Sequence, residues 1–114
     1  MTTLDDLFGV LSGLIHDGAA TRGFDQLEQQ PGAFGGRTMH WRRRAEELVF
    51  GWDAKEQWFS FSFRPAPDHP PALEWTGTLS DRYTGREISD ADAQQLREGL
   101  TNVLATLWTR RPSR

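Results

Sequence analysis

Cysteine is absent from the 114 residues of this chain. That excludes disulfides, thiol nucleophiles, iron–sulfur clusters and thiolate zinc sites. It also favours a cytoplasmic setting, since small secreted domains commonly depend on disulfides. Long apolar runs are absent too, none approaching the roughly 18 residues that span a bilayer. The start, Met1-Thr2-Thr3-Leu4-Asp5-Asp6, is acidic and lacks the basic region that opens a signal peptide. A large charge of one sign is also missing. The net charge of −3 provides no global attraction to nucleic acid or membranes. Basic residues do gather locally, at Arg42-Arg43-Arg44 and at Arg110, Arg111 and Arg114, while acidic ones gather at Asp5-Asp6, Glu46-Glu47 and Asp90/Asp92. Interleaving of this kind is the pattern of a solvated surface.

Catalytic signatures are missing as well. No Gly-x-Ser-x-Gly occurs, and Ser60 and Ser62 fall inside a strand pattern. Gly32 to Gly36 has no Lys-Ser/Thr after it and opens no helix, so it is not a phosphate loop. The three histidines, His16, His40 and His69, share neither the i, i+4 helical nor the i, i+2 strand spacing of a local metal site. The close carboxylates Glu46-Glu47, Asp53/Glu56 and Asp90/Asp92 flank turns or cap a helix, which gives each a structural task. The expectation is a chain that is not an enzyme and holds no metal or cofactor.

What is present describes one domain over residues 1–114. Hydrophobic residues make up 37% and charged residues 25%, too apolar a balance for a disordered chain. Five Trp and seven Phe offset a modest aliphatic content, each able to bury a large area. Leu4, Leu7, Phe8, Leu11, Leu14 and Ile15 follow helical spacing on an arc roughly 120° wide. Thr3 is placed to N-cap this helix, with Asp6 at the capping-box position and Gly18 as the expected stop. Residues 19–36 are ambiguous: Phe24 to Gln30 reads as a short edge strand in preference to a turn of helix, before a loop bracketed by Pro31-Gly32 and Gly35-Gly36.

From Arg37 to Leu79 the period becomes two. Met39 and Trp41, then Leu48, Phe50 and Trp52, then Phe59, Phe61 and Phe63, and finally Leu73, Trp75 and Leu79 form the inward sets. Asp53 to Glu56 is a turn, Pro65 to Pro71 a proline-rich loop, and Ser80 to Glu87 a further turn with Gly85 at its tight point. Ser89 N-caps a second helix, with Asp92 at capping-box spacing. Its apolar arc runs from Ala93 through Leu96, Leu100, Val103, Leu104 and Leu107 to Trp108, with Pro112 beyond. Arg97 falls inside that arc, so its stem is expected to pack there while its head reaches water, stacks on Trp108 or meets a carboxylate. The fold class is therefore α+β: an antiparallel four- to five-stranded meander with N-terminal and C-terminal helices on one face, in α-β-β-β-β-α order.

That arrangement leaves the other sheet face uncovered. On it the alternation places His40, Arg42, Arg44, Trp58 and Arg64, with Trp58 expected among the arginines. An exposed Trp beside arginines suits a protein interface or stacked bases. The competing reading pairs the arginines with Glu47 and Glu74 and lets Trp58 cover a strand end. The expected function is a small protein-binding domain, immunity-, chaperone- or adaptor-like, whose partner is another protein or a second copy of itself. The run from Leu73-Glu74-Trp75 to Ile88-Ser89 and its following helix resembles the tail of some small bacterial immunity proteins, through a generic strand–cap–helix pattern that assigns no family. The alternatives are a nucleic-acid-binding module on the Arg/Trp surface, and a small-molecule binder with a pocket between sheet and helices lined by Trp41, Trp52 and Trp75. No membrane partner is expected.

Overall fold

Helical spacing becomes a helix at both ends of the chain. The structure, a computed structural model, describes residues 2–27, 29–31, 36–80 and 87–110. Helix α1 spans Leu4–Ala20 and buries Leu4, Leu7, Phe8, Leu11, Ser12, Ile15 and Ala19. Thr3 caps it, its Oγ1 accepting the Asp6 N–H at 3.1 Å. The stop is not Gly18, as the sequence suggests, but Gly23 at φ +84°. There Phe24 N–H reaches Ala19 O and Gly23 N–H reaches Ala20 O, a Schellman closure that needs a left-handed residue. Gly18 lies inside the helix because the Trp108 ring of the other helix crosses it.

The sheet runs through β1 (Asp25–Gln26), β2 (Gln30–Pro31), β3 (Arg37–Arg43), β4 (Glu46–Asp53), β5 (Trp58–Arg64) and β6 (Leu73–Thr78), all antiparallel. Both β1 and β2 pair with β3, so they share one edge lane and the sheet has five lanes. Between Gln26↔Trp41 and Gln30↔Thr38 the edge advances four residues against three on β3. The edge lane is therefore broken into two short pieces, β1 and β2, which do not continue in one register. The inward sets land as alternation requires: Met39, Trp41, Leu48, Phe50, Trp52, Phe59, Phe61 and Phe63 are all buried. In β6 the third inward position is Gly77, and Leu79 follows the strand half-buried.

Helix α2 spans Asp90–Trp108 and buries Leu96, Leu100, Leu104 and Leu107. Ser89 Oγ accepts the Asp92 N–H at 3.1 Å. The returning half of the capping box is replaced: the Asp92 carboxylate turns to Ser80, accepting its N–H at 3.2 Å and its hydroxyl at 2.8 Å. Thr2 and Ile88 form an antiparallel bridge before the two helices, and Gly18 meets Trp108 near their ends. The helices therefore lie side by side in the same direction on one sheet face, with the core between them and the sheet. Arg97 is exposed beside the inter-helix groove, and Trp108 is stacked by Arg22 instead, 4.4 Å from the ring centroid. No helix is long and apolar enough to cross a membrane among the described residues. The turn expected at Gly85, the Gly32 to Gly35 loop, and Arg111, Pro112 and Arg114 lie outside the described residues.

The helix glycines separate two effects of one substitution. Nothing lies within 4 Å of a Cβ built on Gly9 or Gly13, so Gly9→Ala and Gly13→Ala should each stabilise by about 1 kcal/mol through helix propensity. At Gly18 a Cβ would stand 2.5 Å from Trp108 Nε1 and 2.8 Å from Cε2. There overpacking of about 1–3 kcal/mol outweighs the same gain. Urea titrations of the three variants should place the first two above wild type and Gly18→Ala below it.

Candidate functional site

Strand register decides which outward side chains become neighbours. The two-residue loop Arg44–Ala45 pairs Arg43 with Glu46, and from there Arg42 opposes Glu47 and Glu47 opposes Arg64. Arg42 and Arg64 therefore flank Glu47 in one row across the sheet. Arg42 Nη2 is 3.3 Å from Glu47 Oε2, with the Arg42 side chain 56% exposed. His40 Nδ1 lies 3.8 Å from the same oxygen. Arg64 donates to the Pro67 carbonyl at 3.4 Å. Asp25 on β1 opposes Arg42 in register but forms no ion pair with it.

Arg44 departs from the sequence reading. It is a loop residue at the hairpin tip, not a strand residue, and its φ of +56° lies in the left-handed region. The first position of a two-residue hairpin loop with positive φ favours glycine, because a Cβ there is strained. Arg44 has no ion-pair partner among the described residues. Together Arg42, Arg44 and Arg64 surround a depression of about 330 Å³ whose remaining walls are Ala45, Glu47 and Pro67.

Trp58 is not among these arginines. It begins β5 and Arg64 ends it, six residues away, or roughly 20 Å at strand rise. It opposes Asp53 and Thr78 and walls a separate recess of about 440 Å³, floored by Gly51 and edged by Thr38, Ser60 and Lys55. The outer face therefore has two ends, one cationic and one aromatic. Glu74 faces Ser62 and is no partner of the arginines, whereas Glu47 is.

Other arginines are absorbed by the rim of the core. Arg43 lies 4.4 Å over Phe24, pairs with Glu46 at 2.8 Å and donates to Arg22 O at 2.7 Å. Arg37 covers Phe8 and pairs with Asp5. Arg110 covers Phe63 at 5.3 Å. Such stacking contributes about 0.5–1 kcal/mol each at partly exposed sites. Arg42, Arg44 and Arg64 stack on no ring among the described residues.

The remaining candidates have structural roles. His16 Nδ1 accepts the indole N–H of Trp41 at 3.2 Å, satisfying a fully buried ring from the rim of α1. Asp53 Oδ1 accepts the N–H groups of Lys55 and Glu56 at 3.0 Å each and shapes the turn before β5. Trp41 and Trp52 are buried within the core, and Trp75 packs on Gly77 and Gly99. Trp41 and Trp52 thus belong to the core, while Trp75 covers its edge, half-buried. An open groove of about 600 Å³ lies between the helices, lined by Leu7, Val10, Ala93, Arg97, Glu98 and Thr101 among others. No protein-family model, no curated protein and no solved structure matches this chain.

Proposed function

We propose that this chain is a small, non-catalytic, cytoplasmic protein-binding domain, immunity-, chaperone- or adaptor-like in kind, whose open sheet face takes an acidic segment of a partner protein at Arg42, Arg44 and Arg64. One observation carries the reading: three arginines converge on one depression that contains a single carboxylate, Glu47. Three positive charges against one negative leave two for a partner, and guanidinium groups match carboxylates in paired hydrogen bonds. The left-handed backbone at Arg44 supports it, because strain retained at an exposed cation is a mark of binding sites. His40 borders Glu47 at that end, while Trp58 provides an apolar anchor at the other. The absence of cysteine supports the cytoplasmic setting. Nucleic acid is disfavoured because base stacking and phosphate contacts need Trp58 beside the arginines, and the register separates them by roughly 20 Å.

The test titrates isotope-labelled protein with a deca-glutamate peptide and, in parallel, with decathymidylate. The peptide should shift the amides from Arg42 to Glu47 and at Arg64. The double variant Arg42→Ser/Arg64→Ser should bind it about tenfold more weakly, a change of about 1.4 kcal/mol. Arg44→Gly should weaken binding while raising stability by about 1 kcal/mol through relief of the left-handed residue. Tighter binding of the oligonucleotide, or shifts scattered over the whole surface, would refute the reading.

A further inference from the structure

The two edges of the sheet are built differently. The β1/β2 edge is cut into two-residue pieces that do not share one register, and carries Pro31. These are the devices by which edges avoid pairing with other chains. The β6 edge has none of them: Leu73–Thr78 is an unbroken six-residue strand with neither Lys, Arg nor Pro, and no described strand lies beyond it. Its half-buried apolar residues Leu73 and Trp75, and Leu79 just after it, border that same edge.

Ladder alternation fixes which backbone groups it presents. A two-residue hairpin makes Arg43–Glu46 a hydrogen-bonded pair, and each strand then alternates sides. Carried across β4 and β5, this bonds Leu73, Trp75 and Gly77 to β5 and turns the N–H and C=O groups of Glu74, Thr76 and Thr78 outward. None of these three has another backbone partner among the described residues.

The geometry points to a second copy of this chain as the occupant, pairing β6 with β6 antiparallel about a two-fold axis at Thr76. In that register Thr76 opposes Thr76 and Glu74 opposes Thr78 of the second copy, so every outward group is used in about six hydrogen bonds. On the core side Leu73 opposes Leu79 of the second copy and Trp75 opposes Gly77, apolar against apolar or small. A centre at Glu74 would face two carboxylates and set Thr78 against Pro70, which has no N–H to donate. A centre at Trp75 would set Leu79 against Pro71. The self-match at Thr76 favours a symmetric dimer over a foreign strand, with two five-lane sheets joined into one.

Sedimentation velocity tests this on the intact chain up to roughly 1 mM, the weak end of the affinity scale. The expected result is a concentration-dependent species of twice the 13.0 kDa chain mass. Amide exchange at Glu74, Thr76 and Thr78 should slow in step with it. Thr76→Lys sets like charges face to face at the axis and should give a monomer with unchanged circular dichroism, since Thr76 is exposed and its N–H makes no bond within the sheet. Thr76→Val should still dimerise. The Arg42→Ser/Arg64→Ser variant should dimerise as wild type does, which separates this interface from the acidic-segment site. A mass of one chain at every concentration, a dimer that survives Thr76→Lys, or exchange that ignores concentration would overturn the proposal.

Discussion

Phe50→Ala is expected to destabilise the fold by about 3–5 kcal/mol, towards the upper end of that range. Phe50 is fully buried on β4, the middle lane of the five. Its ring meets Phe8 of α1 at 5.1 Å and stacks on Phe59 of β5 at 5.9 Å, and Phe59 in turn meets Trp52 at 4.8 Å. The cost of a large-to-small change depends on how far the surroundings collapse into the space left. Here two of the walls are rings with two side-chain torsions each, on α1 and on β5, so collapse would require a helix to move towards the sheet. A domain of this size has about 5–15 kcal/mol to lose, so the variant should be partly unfolded at 37 °C. Val49→Ala, the neighbouring outward position, serves as the control and should cost well under about 1 kcal/mol. Equilibrium urea unfolding measures both. A loss below about 2 kcal/mol at Phe50 would mean that the aromatic layer relaxes around the gap.

The parts of this fold that were legible in the sequence are those set by local periodicity. Trp58 to Arg64 alternates so strictly that its inward face, Phe59, Phe61 and Phe63, could be assigned without knowing any neighbour, and all three are buried. The two N-caps, Thr3 and Ser89, were legible for the same reason, because a cap and its partner N–H lie three residues apart. What was not legible depends on distant residues. Gly18 has the composition of a helix stop, yet Trp108, ninety positions away in sequence, gives it a packing task and leaves termination to Gly23. The Asp92 carboxylate has capping-box spacing, yet Ser80 takes it. At the candidate site, alternation placed His40, Arg42, Trp58 and Arg64 on the outer face, but the expected order, with Trp58 among the arginines, was wrong because alternation carries no information along the strand. Register supplies that order: the two-residue loop Arg44–Ala45 sets Arg42 against Glu47, and the four-residue turn 54–57 sets Glu47 against Arg64 and Asp53 against Trp58. Both loop lengths are needed to read the Arg42–Glu47–Arg64 row and to place Trp58 at the other end of β5.

The tie between Asp92 and Ser80 should be the most costly polar contact to remove. Asp92→Ala is expected to lower stability by about 2–3 kcal/mol, a sum of hydrogen bonds to a charged group and its favourable place in the first turn of a helix. Asp92 is 9% exposed, and both its oxygens lie 2.8 Å from the Ser80 hydroxyl. Without the carboxylate, the Ser80 N–H and O–H lose an acceptor that is itself buried, and the chain loses its tie to the start of α2. Ser89 would still cap α2 through its own hydroxyl, so the helix should start at the same residue. The loss would therefore appear as loosening of the chain that leaves β6 and not as unwinding of α2. Asp92→Asn keeps the shape and one acceptor oxygen and should cost about 1 kcal/mol, while Ser80→Ala should cost a similar amount. A double-mutant cycle between Asp92→Ala and Ser80→Ala should return a coupling of about 1 kcal/mol or more, as expected for residues in direct contact. Additive losses would mean that the two side chains act separately, and that Asp92 stabilises α2 by its charge alone.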